Sequence, residues 1–312
     1  MACAFFSRDS QFDPGGAGVL SAHRFVPQLD GDSRLAAQGL IRDATAFLDY
    51  VIYAGLDVSM QAGEYELSPA RSIIDIARAM QDATPLDVTF VVLPGWRMEE
   101  IAASLPTSGL DATPDEFLQA ARDSLDFDFM AGASTNEGFL LPDSYILPRA
   151  TNAHELVDAL VRNFSLHLSR ELQNGFAQNG LSVYQAVILA SLIERESVQA
   201  DEMPLIASVF LNRLAAGWLL ESDPTVQYAI GSELDWWPNP LSAADLAFDS
   251  RFNTYVYAGL PPGPIANPSL AALTAVAYPA QTSYFFFRAR CDNSGFHQFA
   301  ETLEEHISNG CP

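Results

Sequence analysis

The sequence predicts an α+β fold in two parts, a small strand–helix module followed by a larger mixed α+β domain. Three observations point that way. Short runs rich in β-branched or aromatic residues precede segments with helical spacing. The 312 residues leave room for one large or two modest domains, each with its own core. Hydrophobic residues make up 49% and charged residues 18%, the balance of a chain that folds.

Residues 1–24 contain Gly and Ser without periodicity and read as a mobile tail. The module spans 25–125 and the second domain 126–312. Within the module a turn and a short helix recur at GDSRLAAQGLIRDA (31–44), SPARSIIDIARAM (68–80) and PGWRMEEIAASL (94–105). Strands at 64–67 and 88–93 precede two of them. The apolar stripe Ile73, Ile76, Ala77, Met80 marks the buried side of the middle helix. Residues 107–170 read as mostly helical, with one clear start signal: Thr113 as N-cap, Pro114 at the first helical position and Glu116 at the third. EGFLLPDSYILP (137–148) reads as extended, because prolines bracket it. Its Phe139, Leu141 and Tyr145 are expected in the core.

A helical pattern follows at Val187, Ile188, Leu189, Leu192 and Ile193, ending in Glu196. The stretch after it reads as strand and loop, with a turn at Asp223-Pro224. GLPPGPIANP (259–268) is a rigid loop, since proline fixes φ and glycine permits tight turns. YFFFRA (284–289) reads as a buried strand, and HQFAETLEEHI (297–307) as the start of the last helix.

Composition excludes several chemistries. Net charge is −23, with no arginine cluster to neutralise phosphates, so nucleic-acid binding is disfavoured. All 16 basic residues are Arg, which rules out Schiff-base chemistry, a Ser–Lys dyad and a P-loop lysine. No Cys-x-x-Cys, His-Glu-x-x-His or clustered His points to a metal, and no cofactor is implied. No uninterrupted apolar run reaches the ~18 residues of a membrane helix. Cys291 and Cys311 are either two free thiols or a disulfide, which would add ~3 kcal/mol by the chain-entropy model. Cys3 is left over.

The chemistry concentrates at Glu196. Positions 188, 189, 192, 193 and 196 fall on one helical stripe, so Glu196 ends an apolar face. Desolvation and the negative end of the helix dipole both favour its protonated form. A carboxylic acid kept neutral near pH 7 suits a general acid. Glu194 lies about 200° around the helix from Glu196 and reads as structural.

The motifs around this helix resemble a known family. LASLIERES (189–197), ASVFLNRL (207–214), LLESDPTVQYAIG (219–231), Asn253-Thr254-Tyr255, GLPPGPIANP, YFFF (284–287), His297-Gln298-Phe299 and Glu305-His306 occur in the order of the endolytic murein (peptidoglycan) transglycosylases. Upstream, QAGEYELSP (61–69), LPGWRMEEIA (93–102) and EGFLLPDSYILP agree as well. The resemblance covers residues 34–308. Two departures stand out: Glu221 replaces the usual Gln before Ser-Asp-Pro-Thr, and Pro94 the usual acidic residue before Gly95.

The resemblance implies a LysM-like module, associated with glycan binding, ahead of a mixed α+β lytic transglycosylase catalytic domain. It implies cleavage of the MurNAc-β-1,4-GlcNAc bond without water, with Glu196 as acid and then base. Asn212, Arg213, Ser222, Asp223, Thr225, Gln227, Tyr228, Asn253 and Tyr255 are the implied substrate contacts, and Glu137 and His297 further candidates. Arg213 is expected to pair with a cleft carboxylate. Asp223 is the obvious second carboxylate, read instead as a turn residue before Pro224. Peptidoglycan strands are the expected partner, cell-wall synthases a second, and the extracytoplasmic face of the membrane the expected location. The family's N-terminal anchor is not recognisable here, so the sequence is expected to begin downstream of it or from a misassigned start. Rival readings are a non-catalytic wall-binding scaffold and a secreted hydrolase of another polysaccharide.

Overall fold

A computed structural model describes residues 18–22, 31–60, 63–81 and 87–311. The rest of the expected tail, with Cys3, lies outside them. The chain divides into two compact units, one ending at Val88 and the other beginning at Thr89.

In the first unit, β1 (Gly18–Ala22) pairs antiparallel with β2 (Gly63–Leu67), Leu20 opposite Tyr65. Residues 18–22 are therefore strand rather than tail. Between them run α1 (Gly31–Ala37) and α2 (Ala44–Tyr53); α3 (Ile73–Ala79) follows. Asp43 starts α2 by accepting the N–H groups of Thr45 and Ala46 at 2.8 and 3.1 Å. Phe47 and Val51 of α2, Tyr65 and Leu67 of β2, and Ile76, Ala77 and Met80 form the core, as the sequence stripe requires. The Tyr65 hydroxyl donates to the Met80 carbonyl at 3.1 Å, so the buried ring keeps its polar end satisfied.

The boundary falls within β3 (Asp87–Val91), which pairs with β4 (Ser144–Pro148). Between these strands lie α4 (Met98–Ser104) and α5 (Pro114–Arg122), the latter opened by the Thr113–Glu116 capping box. Phe139, Leu141 and Tyr145 are buried. Then come α6 (Ala153–His167), α7 (Arg170–Gln178), α8 (Val183–Glu196) and α9 (Met203–Ala216). α10 (Asp223–Ile230), the one-turn α11 (Ala243–Leu246) and α12 (Leu270–Ala277) lead to the hairpin β5 (Phe286–Ala289) and β6 (His297–Ala300), then α13 (Leu303–Ser308).

Helix α8 is the axis of the second unit. Residues 186–193 are all buried, so the helix is surrounded rather than apolar on one stripe. α7, α9, α10 and α12 pack around it. The 259–268 loop is bolted onto the same axis: the Ile265 N–H donates to Ser191 Oγ at 3.0 Å. Asn267 Oδ1 accepts from the N–H groups of Gly138 and Leu140 at 2.8 and 3.0 Å. Gly138 has φ of 85°, and a Cβ there would lie 2.5 Å from Pro264 Cγ, so only glycine allows this approach.

Three further sequence expectations are corrected. Residues 223–230 are helix, not strand and loop, because Pro224 sits in the first turn, where its missing N–H costs nothing. His297–Ala300 is strand, and the last helix starts at Leu303 behind the Thr302 cap. β5 is half-buried rather than buried. Among the described residues, no single helix is long and apolar enough to cross a membrane.

Candidate active site

Helix α8 delivers Glu196 as its last residue. The start of that helix is fixed by a capping box, the Ser182 N–H donating to Gln185 Oε1 at 2.9 Å and the Gln185 N–H to Ser182 Oγ at 3.2 Å. Its end is fixed by Ser197, whose N–H donates to the Ile193 carbonyl at 3.0 Å. Glu196 is half-buried and lines a pocket of about 300 Å³. Arg213, Leu220, Glu221, Asp223, Tyr255, Phe287, Arg288, Ala289 and His297 complete the lining.

The Ser222 hydroxyl donates to Glu196 Oε1 at 2.6 Å. Ser222 occupies the N-cap position of α10 but makes no side-chain cap. Its hydroxyl is thereby free for Glu196. The backbone around it is held independently: the Ser222 N–H donates to Thr254 Oγ1 at 3.0 Å, and the Thr225 hydroxyl donates to the Ser222 carbonyl at 2.6 Å. Burial raises Glu196 to about 7, and the Asp223 charge adds to the rise; the Ser222 hydrogen bond, Arg213 and Arg195 pull the other way. A carboxyl titrating there holds its proton for much of the time at neutral pH.

Arg213 is buried and braces the rim. It donates to the carbonyls of Phe285 at 2.7 Å and Leu220 at 2.8 Å, and pairs with Glu221 at 3.0 Å. Glu221 has φ of 52°, a left-handed conformation uncommon without glycine. Its N–H donates to the Thr254 carbonyl at 3.2 Å, so ties on both sides of the backbone hold the strain. Tyr255 donates its hydroxyl to Asp223 Oδ1 at 2.6 Å. Burial and this hydrogen bond raise the Tyr255 phenol, which stays neutral.

A family model described as YceG-like matches residues 32–310. The chain belongs to the YceG-like family. A Bacillus subtilis protein named endolytic murein transglycosylase is 30% identical, over 88% of this chain and 78% of its own length. A Streptococcus pneumoniae protein of the same name is 26% identical over 88% of this chain. The chain spans 54% of that longer relative. A crystal structure of a YceG-like protein from Listeria monocytogenes shares the fold, with a TM-score of 0.63 and 28% identity, covering 93% of this chain and 98% of that one. The family resemblance read from the motifs is borne out.

In this YceG-like chain the pocket gathers Glu196, Arg213, Asp223, Tyr255 and His297 from the sequence candidates, with Ser222 against the acid. The other candidates are not among the residues lining this pocket, and each has partners within the fold. Asn212 donates to the carbonyls of Thr282 and Tyr284 at 3.0 and 2.8 Å. Asn253 is fully buried and donates to the carbonyls of Leu246 and Phe248. Thr225 is buried against Ser222 and Thr254. Gln227 donates to the Pro238 carbonyl at 3.2 Å. The Tyr228 ring carries the Arg97 guanidinium 4.1 Å from its centroid. Glu137 is buried, accepts the Met98 N–H that opens α4, and takes a hydrogen bond from Asn267 at 2.8 Å. Burial, helped by the nearby Glu99, raises Glu137 to about 8. Glu194 accepts from the N–H and hydroxyl of Ser269, the N-cap of α12, at 2.9 and 2.6 Å.

Sequence reasoning did not single out Phe287, Arg288 and Ala289 of the pocket lining, whereas the pairing expected of Arg213 with a cleft carboxylate is found at Glu221. Strand alternation could have paired Phe287 with Ala289 but not with Arg288, the residue between them. Cys291 and Cys311 are disulfide-bonded, with Cα atoms 5.5 Å apart. Among the described residues no cluster of His, Cys, Asp and Glu could hold a metal ion.

Proposed function

We propose that this chain is an endolytic peptidoglycan lytic transglycosylase, a lyase that cleaves the MurNAc-β-1,4-GlcNAc bond and leaves 1,6-anhydro-MurNAc ends. One observation carries the reading: a carboxyl raised to about 7 by burial borders an open pocket, with a hydroxyl donating to one oxygen. The names of the relatives support the substrate class.

The reaction follows from one proton. Glu196 gives it to the glycosidic oxygen as the bond to C1 breaks and positive charge develops on the sugar. The resulting carboxylate receives the hydrogen bond of Ser222 and the field of Arg213 and Arg195. It then takes the proton of the muramic C6 hydroxyl as that oxygen bonds to C1. Glu196 ends protonated, and no water enters. The nucleophile is within the sugar, so its effective molarity is high and no second carboxylate is needed. Asp223 accordingly acts through charge, raising Glu196, while its oxygen holds Tyr255.

Further parts of the reading rest on the same substrate. The first unit serves as a LysM-like glycan-binding module, the enzyme trims or terminates nascent strands beside the synthases, and it works on the extracytoplasmic face of the membrane. A disulfide suits such an oxidising compartment.

Digestion of purified sacculi followed by mass spectrometry tests the activity. Fragments lighter by one water than hydrolysis products are expected. Reducing ends would make the protein a hydrolase, and an absence of products with retained sacculus binding would favour the scaffold reading. Glu196→Gln is expected to lower turnover by at least ~10³-fold with an unchanged melting temperature. Retained turnover would remove Glu196 from the mechanism.

A further inference from the structure

We propose that Glu202 is a positioning residue that fixes the tautomer of His297, whose Nε2 accepts a hydrogen bond from a glycan hydroxyl or acetamido N–H in the Glu196 pocket. The inference rests on the glycan reading above.

Glu202 ends the 3₁₀ turn Ala200–Glu202 and is 5% exposed. A carboxylate buried this far needs partners, and all of those observed belong to His297. The His297 backbone N–H donates to both oxygens, at 3.0 and 2.9 Å, and ring Nδ1 lies 3.0 Å from Oε2. A carboxylate only accepts, so the ring nitrogen facing it carries the proton. In the neutral ring that leaves the lone pair on Nε2.

His297 is 8% exposed and lines the same cavity as Glu196. Among the described residues Nε2 has no protein partner, yet it is not a buried unpartnered atom. It is therefore the ring nitrogen left available to a group bound in the cavity that His297 lines. The ring cannot easily turn away. Phe287 meets it edge-on with centroids 5.4 Å apart, and Phe299 packs at 6.4 Å. A backbone staple alone would need only the His297 N–H; the third contact, to the ring, sets which nitrogen is an acceptor. The rest of this wall supplies a donor, Arg288, so His297 adds the acceptor that sugar hydroxyls and amides require.

The tautomer is read directly by ¹⁵N NMR of the full chain. Protonated Nδ1 and unprotonated Nε2 are expected for His297; the reverse overturns the proposal. Glu202→Gln can place its amide oxygen at the Oε2 position, where it accepts both the His297 backbone N–H and Nδ1–H, so the tautomer and the activity should be kept. Glu202→Leu removes that acceptor: the tautomer preference should be lost, and with one substrate hydrogen bond weakened kcat/KM on glycan strands should fall about tenfold. His297→Gln keeps an acceptor near the Nε2 position and should retain most activity, whereas His297→Phe should show the full tenfold loss. Equal loss in both, or a lost tautomer preference in Glu202→Leu with unchanged kcat/KM, overturns the assignment. Binding of a GlcNAc–MurNAc tetrasaccharide to Glu196→Gln, followed at His297 Nε2, needs no turnover. It separates this inference from the reaction: reducing-end products would sink the transglycosylase reading alone, while a tetrasaccharide that binds without perturbing Nε2 would sink this one.

Discussion

Removing the Ser222 hydroxyl should move the pH dependence of the reaction in a direction the structure fixes. Ser222→Ala deletes one donor, 2.6 Å from Glu196 Oε1, and leaves the backbone ties to Thr254 and Thr225 in place. That donor stabilises the charged form of Glu196 and so holds its pKa down. A hydrogen bond to a charged group contributes about 1.5–3 kcal/mol. Glu196 borders the pocket, so water replaces part of it, leaving about 1.4 kcal/mol, or about one pH unit. A general acid works only while protonated. The native kcat/KM should therefore be level below about 7 and fall above it. In Ser222→Ala the falling limb should lie about one unit higher. Initial rates of anhydro-ended product between pH 5 and 9, with melting temperatures measured alongside, test this. A limb that stays in place or moves to lower pH would refute the tuning role of Ser222 and weaken Glu196 as the acid.

Asp223→Asn should act with the opposite sign, because the Asp223 charge raises Glu196: the falling limb moves to lower pH, by under one unit since Asp223 is exposed and screened. A rise would show that Asp223 acts otherwise. Glu137 is raised to about 8 from an ordinary 4.5, so the folded state holds its proton more tightly than the unfolded state does. Its stabilising contribution is complete below about 4.5 and is lost as pH rises toward 8. Glu137→Gln should therefore flatten the fall of melting temperature between pH 5 and 8, gaining on the order of a few kcal/mol over the native protein at the upper end; parallel profiles would contradict the burial argument. Reduction of Cys291–Cys311, or Cys291→Ser, should cost about 3 kcal/mol of stability, visible as a lower melting temperature without change in product chemistry. An unchanged transition would mean the loop is held by packing alone.

How much of the site was legible varies residue by residue. Glu196 was legible because helical spacing places it after four apolar positions, and its raised titration follows from that burial. Glu194 was legible by the same arithmetic: two residues earlier on the helix, a side chain points elsewhere, here to Ser269. At Asn212, Asn253 and Thr225 the motif marked a polar residue without saying what it bonds within the fold. Each satisfies backbone groups. Asp223-Pro224 was misread as a turn because that pair fits both a turn and the first turn of a helix.

Sequence alone determined the family, the mixed α+β class, the cap of α5 and the carboxyl that ends α8, since these follow from ordered motifs, local spacing and capping. Only the tertiary structure decided that a cap-position serine turns its hydroxyl to Glu196, that Glu221 is the carboxylate Arg213 pairs with, and that Glu202 holds His297 in the pocket lining. Those pairs join residues up to 95 positions apart. Their geometry comes from how buried helices and a hairpin pack together, which no local pattern encodes.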